Sequence, residues 1–326
     1  MAELRWHPLI KDWVMVVSQR QNRPQMPKDW CPFCVSKDNA KVNQDYVVLK
    51  YDNDFPVLSQ NPPRPDDVAT DFYKTDITYG KCEVILYSKD HHGSLPLLDD
   101  DHMVKLVELW QERMSDLSSD DLIKYVFIFE NRGEAVGVTM PHPHGQIYGY
   151  PFIPKKIELE IESTKEYMEE KGQCLICKMN QEEKSFEKRV IFENDSFIVY
   201  LPFFTEYPYG IYISSKRHFQ YITEFTDQEK VDFARTIKES VGMLDSLFDF
   251  QFPYMMCMHQ APVNDGKDYS FYHFHVEFFP PMRSHDRIKY NASSETGVWA
   301  HCNPTSPEEK ALELKAAYKK YIKTIR

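Results

Sequence analysis

The chain runs through one order of features twice, and this duplication limits its possible folds more than any other property. Residues 31–34 read CPFC and residues 174–177 read CLIC. A strand-like stretch follows each pair, "YDNDFPVLS" at 51–59 and "FENDSFIVYLPFF" at 192–204. Next comes an apolar run ending in Ser-Lys-x-His, at Ser88–His91 and again at Ser215–His218. A helical stretch follows, and then "YVFIFENRG" with "HPHGQIYGY" in one half, "FPYMMCMHQ" with "YHFHVEFFP" in the other. His142 lies 51 residues after His91, and His273 lies 55 after His218. One repeat is therefore a Cys-x-x-Cys unit, a strand, a strand ending in His, a helix, and a strand carrying His-x-His.

The local chemistry agrees. "CEVILYS" and "YGIYIS" have the β-branched and aromatic content of strands. Residues 97–117 open on an acidic turn and space their apolar residues as an amphipathic helix does, and 226–248 repeat the pattern with Thr226 or Asp227 as cap. Ser306-Pro307-Glu308 opens a last helix. Strands with few intervening helices predict an α+β fold with two mainly antiparallel sheets and flanking helices. The boundary between halves is expected near 155–172, giving units 1–160 and 161–326. "NPPRPDD" at 61–67 is expected to be a loop.

Composition narrows the function. At 326 residues, 42% of them hydrophobic, the chain can bury a large core. No apolar run approaches the roughly 20 residues that cross a bilayer, and "MAELRWHPLIKDW" lacks the apolar centre of a signal peptide. A cytoplasmic protein without membrane association is expected. The net charge of -11 opposes general nucleic-acid binding, yet leaves room for a small anion, which needs only a few local Arg or Lys residues. Seven cysteines in such a chain predict no disulfide framework. Cys82, Cys257 and Cys302 stand apart from the Cys-x-x-Cys pairs and are expected to be inert buried thiols.

The "HPHGQ" stretch carries the chemistry. On a strand, His142, His144 and Gln146 project from one face, while Pro143 and Gly145 face away. Pro143 favours a strand end, and Gly145 would let a ligand approach the backbone. Cys31, Cys34, His91 and one of His142 or His144 make a Cys₂His₂ set that would close around a structural zinc. The remaining imidazole, beside a glutamine amide, suits nucleophilic attack on phosphorus. Gln146 can hydrogen-bond a non-bridging oxygen without delivering a proton, which favours transfer over hydrolysis. The plainer readings are a solvated strand edge for the histidines and a reduced turn for CPFC.

With "RWHPLIKDWVMVVSQRQNRP", "CPFC", "YDNDFPVLS", "SKDHH", "FENRGEAVGVTMPHPHGQIY", "MHQAP", "HFHVEFFPP" and "SSETG", nearly the whole chain resembles the galactose-1-phosphate uridylyltransferases, a nucleotidyl-transferring branch of the histidine triad superfamily. The resemblance implies a duplicated histidine-triad-like fold. It also implies a two-step exchange of UMP between UDP-glucose and galactose 1-phosphate through a covalent uridylyl-histidine. By this resemblance His144 is the nucleophile, and Cys31, Cys34, His91 and His142 hold zinc. Gln146, Asn131, Arg23 and Arg20 match phosphate contacts, and Thr139 stands where some members carry a serine. Asn53, Asp54, Phe33 and Val84 match the uridine site. Lys289 and Glu295 match hexose contacts on a segment that reaches the partner subunit's site, implying a homodimer with shared active sites.

Two ligand sets compete for a second metal. One is Cys174, Cys177, His218 and His273 around zinc, which the internal repeat favours. The other is Glu160, His259, His273 and His275, a family pattern for which iron(II) is the alternative ion. Glu277 replaces Gln146 in the second half and would repel a phosphate, so catalysis is expected only in the first. An adenylyl-transferring enzyme resembling ADP-glucose phosphorylase is the nearest alternative, and a non-catalytic zinc-stabilised interaction module is a second.

Overall fold

The structure, a computed structural model, describes residues 2–22, 31–36, 42, 45–138 and 140–325. Along the described chain the strands are β1 (Ala2–His7), β2 (Asp12–Val17), β3 (Leu49–Asp52), β4 (Thr75–Ile77), β5 (Lys81–Leu86), β6 (Tyr125–Arg132) and β7 (His144–Tyr150). The second half adds β8 (Val190–Glu193), β9 (Phe197–Tyr200), β10 (Tyr212–Ser215), β11 (Tyr254–His259), β12 (His275–Phe279), β13 (Met282–Ser284) and β14 (Arg287–Ile288). The α-helices are α1 (Asp100–Ser118), α2 (Lys155–Lys171), α3 (Leu175–Phe186), α4 (Asp227–Phe248), α5 (Ser293–Val298) and α6 (Pro307–Ile325).

The class is α+β with antiparallel pairing, and the two expected sheets are joined into one. Nine strands run in the order β3-β5-β7-β6-β11-β12-β10-β9-β8. From the central β6–β11 seam outward, β6, β7, β5 and β3 are mirrored by β11, β12, β10 and β9. Pairing of Tyr254 with Arg132 through to Met258 with Ile128 closes what would otherwise be an exposed edge on each half. The physical reason for one sheet is that each repeat ends in an unpaired strand, and the other repeat offers the matching one.

Alternation along the strands divides the sheet into a core face and a chemical face. Ile85, Ile128, Ile147, Ile213, Met256 and Val276 turn inward against Trp110 of α1, Phe233 and Ile237 of α4, and Leu314 of α6. The Phe233 ring meets Trp110, Phe197, Phe225 and Phe274, so it ties the two halves together. Removing it would cost roughly 3–5 kcal/mol. Helix starts follow the expected chemistry: Asp99 caps α1 by accepting from the His102 N–H, and Thr226 and Glu229 make a capping box on α4.

The alternating residues on the other face include Asn131, His144, Gln146, Cys257, His259, His275 and Glu277. Helix α2 carries Lys156 and Glu160 to this face, where they meet His259 and Glu277. The expected boundary at 160/161 falls inside this helix. Residues 61–67 form no helix or strand. Of the three isolated cysteines Cys82 is buried and Cys257 half-buried, but Cys302 is exposed, since it lies past α5 in a stretch without helix or strand. Among the described residues, no helix is long and apolar enough to cross a membrane.

Candidate active site and metal centres

Two sets of sulfur and nitrogen donors converge, one in each half. Cys31 Sγ lies 3.7 Å from His142 Nδ1, and Cys34 Sγ lies 3.4 Å from His91 Nδ1 and 3.8 Å from His142 Nδ1. In the second half Cys174 Sγ lies 3.5 Å from His273 Nδ1, with Cys177 Sγ 3.4 Å from His273 and 3.8 Å from His218. Tetrahedral zinc, with its ordinary bond lengths to sulfur and nitrogen, separates S and N ligands by roughly 3.6 Å. Both sets fit that ion.

The outer nitrogens are held in the same way. His142 Nε2 donates to the Ser88 carbonyl at 2.8 Å, and His273 Nε2 donates to the Ser215 carbonyl at 3.0 Å. A carbonyl only accepts, so each ring carries its proton on Nε2 and presents the Nδ1 lone pair to the thiols. Tyr46 adds its hydroxyl 3.3 Å from His142 Nε2, and His218 Nε2 reaches the Ser270 carbonyl at 2.8 Å. Burial lowers His142 to about 4, which keeps it neutral and able to ligate. Burial and the neighbouring Cys31 push Cys34 up to about 11, so a cation is needed to hold its thiolate at neutral pH. At the second site, hydrogen bonding from Cys177, with His218 and His273, favours the thiolate of Cys174.

The two competing sets for a second metal prove to be separate places. His273 belongs with the cysteines. Glu160, His259 and His275 gather instead with Glu277. His259 Nδ1 lies 2.9 Å from Glu160 Oε2, and the Tyr272 hydroxyl donates to the same oxygen at 2.7 Å. Lys156 Nζ is 2.5 Å from Glu277 and 3.9 Å from Glu160, so an ammonium already lies between the carboxylates. The set of Glu160, His259, His273 and His275 is thus not assembled, because His273 precedes β12 by two residues and turns its Nδ1 to Cys174 and Cys177.

His144 opens β7, and its Nδ1 donates to the His142 carbonyl at 2.7 Å, which puts the ring's lone pair on Nε2. Phe33 packs edge-on against His142 and His144 at 5.9 and 5.6 Å, and against Tyr51 at 5.1 Å. Gln146 shares the face of His144, pairs across β5 with Val84, and accepts from the Tyr148 hydroxyl at 3.0 Å. That bond fixes the amide oxygen and leaves the amide nitrogen as donor. Asn131, at the end of β6, lines a cavity of about 270 Å³ with His144 and Pro143.

Asn53 and Asp54 follow β3. Asn53 Oδ1 accepts from the Phe55 N–H at 2.9 Å, and Asp54 accepts from the Tyr51 hydroxyl at 2.7 Å beside Phe33. Arg20 lies half-buried in a short 3₁₀ turn after β2. Arg23 and Thr139 lie outside the described residues. Lys289 and Glu295 approach each other at 3.8 Å, with the Lys289 ammonium 4.9 Å from the Tyr207 ring centroid and the Glu295 carboxylate accepting from the Ala292 N–H. Their partners lie in the second half, not on the histidine strand.

Gly145 differs from expectation. Its missing side chain makes room on the buried side of the sheet, where a Cβ would meet the Tyr87 hydroxyl at 2.1 Å, rather than on the side a ligand would approach. Sequence reasoning also passed over Tyr148, Ser88 and Ser215. The two serines were legible as the first residue of each Ser-Lys-x-His run, while Tyr148 carries no signal beyond sharing the face of Gln146.

Known proteins resemble the chain over both of its halves. The family description "Galactose-1-phosphate uridyl transferase, N-terminal domain" matches residues 1–154, and the C-terminal domain of the same family matches residues 160–289. The galactose-1-phosphate uridylyltransferase of Thermotoga maritima is 42% identical over 316 residues, covering 97% of this chain and 98% of that protein. A solved uridylyltransferase superposes with a TM-score of 0.89 at 30% identity, over 98% of this chain and 99% of that one. An ADP-glucose phosphorylase from Arabidopsis thaliana shares the fold, with a TM-score of 0.73 at 24% identity over 97% of this chain and 99% of its own. With both halves matched and 42% identity to one such enzyme over 97% of its length, the chain belongs to the galactose-1-phosphate uridylyltransferase family.

Proposed function

We propose that the chain is a UDP-glucose–hexose-1-phosphate uridylyltransferase of galactose metabolism, working in the cytoplasm by a ping-pong exchange through His144. The observation that carries this reading is the His144 Nδ1 bond to the His142 carbonyl, beside Gln146 on the same strand face. In the first step His144 Nε2 attacks the α-phosphorus of UDP-glucose. A P–N bond forms, the P–O bond to the β-phosphate breaks, and glucose 1-phosphate leaves with the electron pair. In the second step a phosphate oxygen of galactose 1-phosphate attacks that phosphorus, the P–N bond breaks, and UDP-galactose leaves.

Gln146 donates its amide N–H to a non-bridging oxygen as charge develops there, and Asn131 with Arg20 and Arg23 completes the phosphate site. Thr139 adds a hydroxyl. Phe33 and Val84 wall the uracil, while Asn53 and Asp54 take base and ribose, a carboxylate being suited to two ribose hydroxyls. Lys289 and Glu295 bind the hexose of the partner subunit's site in a homodimer.

Cys31, Cys34, His91 and His142 hold one zinc, and Cys174, Cys177, His218 and His273 hold a second. Each ion supplies a fixed cross-link between a Cys-x-x-Cys turn and a histidine strand. His142, so held, orients the carbonyl that accepts the hydrogen bond from His144 Nδ1–H.

Isotope exchange tests the pathway. Labelled glucose 1-phosphate should enter UDP-glucose with no galactose 1-phosphate present, since the first half-reaction is reversible alone. No exchange would refute the ping-pong route. Exchange into ADP-glucose in place of UDP-glucose would favour the adenylyl-transferring alternative.

A further inference from the structure

Tyr87 clamps the HPHG segment from the buried side of the sheet. Its backbone N–H donates to the Pro143 carbonyl at 3.0 Å, between His142 and His144. Its own carbonyl accepts from His102 Nε2 at 2.7 Å, and its ring meets Trp110 edge-on at 6.0 Å, which anchors it to α1. The hydroxyl then reaches beneath Gly145, where an added Cβ would lie 2.1 Å from Oη and 2.8 Å from Cζ. Gly145 is the peptide between the two residues proposed to act on phosphorus.

Behind that hydroxyl is a carboxyl that the reaction above does not use. Glu130, 5% exposed, accepts from the Tyr254 hydroxyl at 3.0 Å through Oε1. Its Oε2 and the Tyr87 hydroxyl are both buried with no hydrogen-bond partner among the described residues, and the two groups influence each other's ionisation. Arg132, which also neighbours Glu130, is committed to Asp245 by two bonds of 2.7 and 2.9 Å. Tyr87, Glu130 and His144 line one cavity at the end of β6 and the start of β7, where the pairing of the two strands stops at Phe129 and Gln146. Burial raises Glu130 to about 7, so near neutrality this carboxyl beside the same cavity exchanges between its neutral and charged forms.

The second repeat serves as an internal control. At the places of Tyr87, Gly145 and Gln146 it carries Ser214, Val276 and Glu277. The tyrosine-on-glycine contact is thus confined to the half that keeps the glutamine, although His275 Nδ1 still reaches the His273 carbonyl at 3.0 Å. Retaining the histidine geometry is therefore separable from retaining this support.

We infer that Tyr87 and Glu130 are positioning residues for the nucleophile: the Tyr87 hydroxyl, backed by the Glu130 carboxyl, props the Gly145 peptide and so sets how His144 faces phosphorus. The inference rests on the uridylyl transfer proposed above. It concerns groups outside the proposed phosphate, uridine, hexose and zinc contacts, so their loss should slow the covalent step while leaving nucleotide binding intact.

The test compares Tyr87→Phe, Glu130→Gln and Gly145→Ala with the parent full-length protein. The readouts are the single-turnover rate of uridylyl-His144 formation from UDP-glucose, KM for UDP-glucose, and zinc per chain. Tyr87→Phe and Glu130→Gln should slow uridylylation by about 10-fold to 10²-fold, as expected for a misaligned nucleophile, with KM and zinc close to parental. Gly145→Ala should show the larger loss, and adding Tyr87→Phe to it should recover part of that loss, because the clashing oxygen is gone. A parental rate in both Tyr87→Phe and Glu130→Gln overturns the inference. So does a slow rate accompanied by an equal loss of zinc, since that reports a structural role only. If the parent itself acquires no uridylyl group, the proposed reaction fails and this inference with it; a labelled parent beside unimpaired variants removes the inference alone.

Discussion

His144 Nδ1 lies 2.7 Å from the carbonyl oxygen of His142, so the residue proposed to attack phosphorus is oriented by the residue proposed to hold zinc. The carbonyl can only accept, which assigns the proton to Nδ1 and the lone pair to Nε2. Replacing His144 with alanine should therefore lower kcat by ~10³-fold or more while zinc content and folding stay parental. Initial rates with UDP-glucose and galactose 1-phosphate check this. Activity within tenfold of the parent would remove His144 from the reaction.

Gln146 differs from Glu277 by one functional group at matching places in the repeat. Gln146→Glu should lower kcat by ~10²–10³-fold, the usual loss for one donor to a developing oxyanion, made worse by a carboxylate facing phosphate. The control is Gln146→Asn, which keeps the amide but shortens its reach. Equal activity of the glutamate variant and the parent would show that the amide donates nothing essential.

The two Cys₂His₂ clusters should each bind one zinc. Cys174→Ser should lower the zinc content by one ion per chain and reduce thermal stability, leaving the first site loaded; Cys31→Ser should lose the other ion and most activity as well, because His142 loses its anchor. Metal analysis by mass spectrometry distinguishes the two. Unchanged zinc in Cys174→Ser would refute the second site, and a metal that instead disappears with Glu160→Ala would return it to the acid–histidine group.

The loop carrying His218 is tied to α4 through Arg217, which donates to both carboxylate oxygens of Glu229 at 2.7 and 2.8 Å. That hydrogen bonding, with the Thr226 cap, holds Glu229 at about 2, below its ordinary 4.5. A depressed acid stabilises the fold fully above its unfolded value and loses that contribution as pH falls toward the folded one. Glu229→Gln should accordingly be less stable than the parent at pH 7, with the gap narrowing as pH falls below 4.5. Urea midpoints measured across that range check the sign, and a gap that widens on acidification would contradict it.

Much of this architecture was legible because it is written twice. Ser88–His91 against Ser215–His218, and CPFC against CLIC, disclosed both donor clusters and the repeat itself. The single nine-stranded sheet was not legible, since each half carries the same strand pattern whether its last strand ends at an edge or pairs across a seam. Helix α2 was missed because its long charged side chains hide a stripe that buries only Ile157 and Thr164. That omission had a consequence: Lys156 and Glu160 reach His259 and Glu277 only through that helix. His273 could not be divided between two candidate sets by spacing alone; its ring turns Nδ1 to the cysteines, and direction is a tertiary property. Tyr87 looked like one more apolar strand residue until its hydroxyl met Gly145.

Intact mass measured after incubation with UDP-glucose reads the covalent step itself. One uridylyl group per chain is expected, located on His144 by peptide mapping, absent from His144→Ala and discharged by galactose 1-phosphate. A protein that gains no mass, or that is labelled only by ADP-glucose, would contradict it.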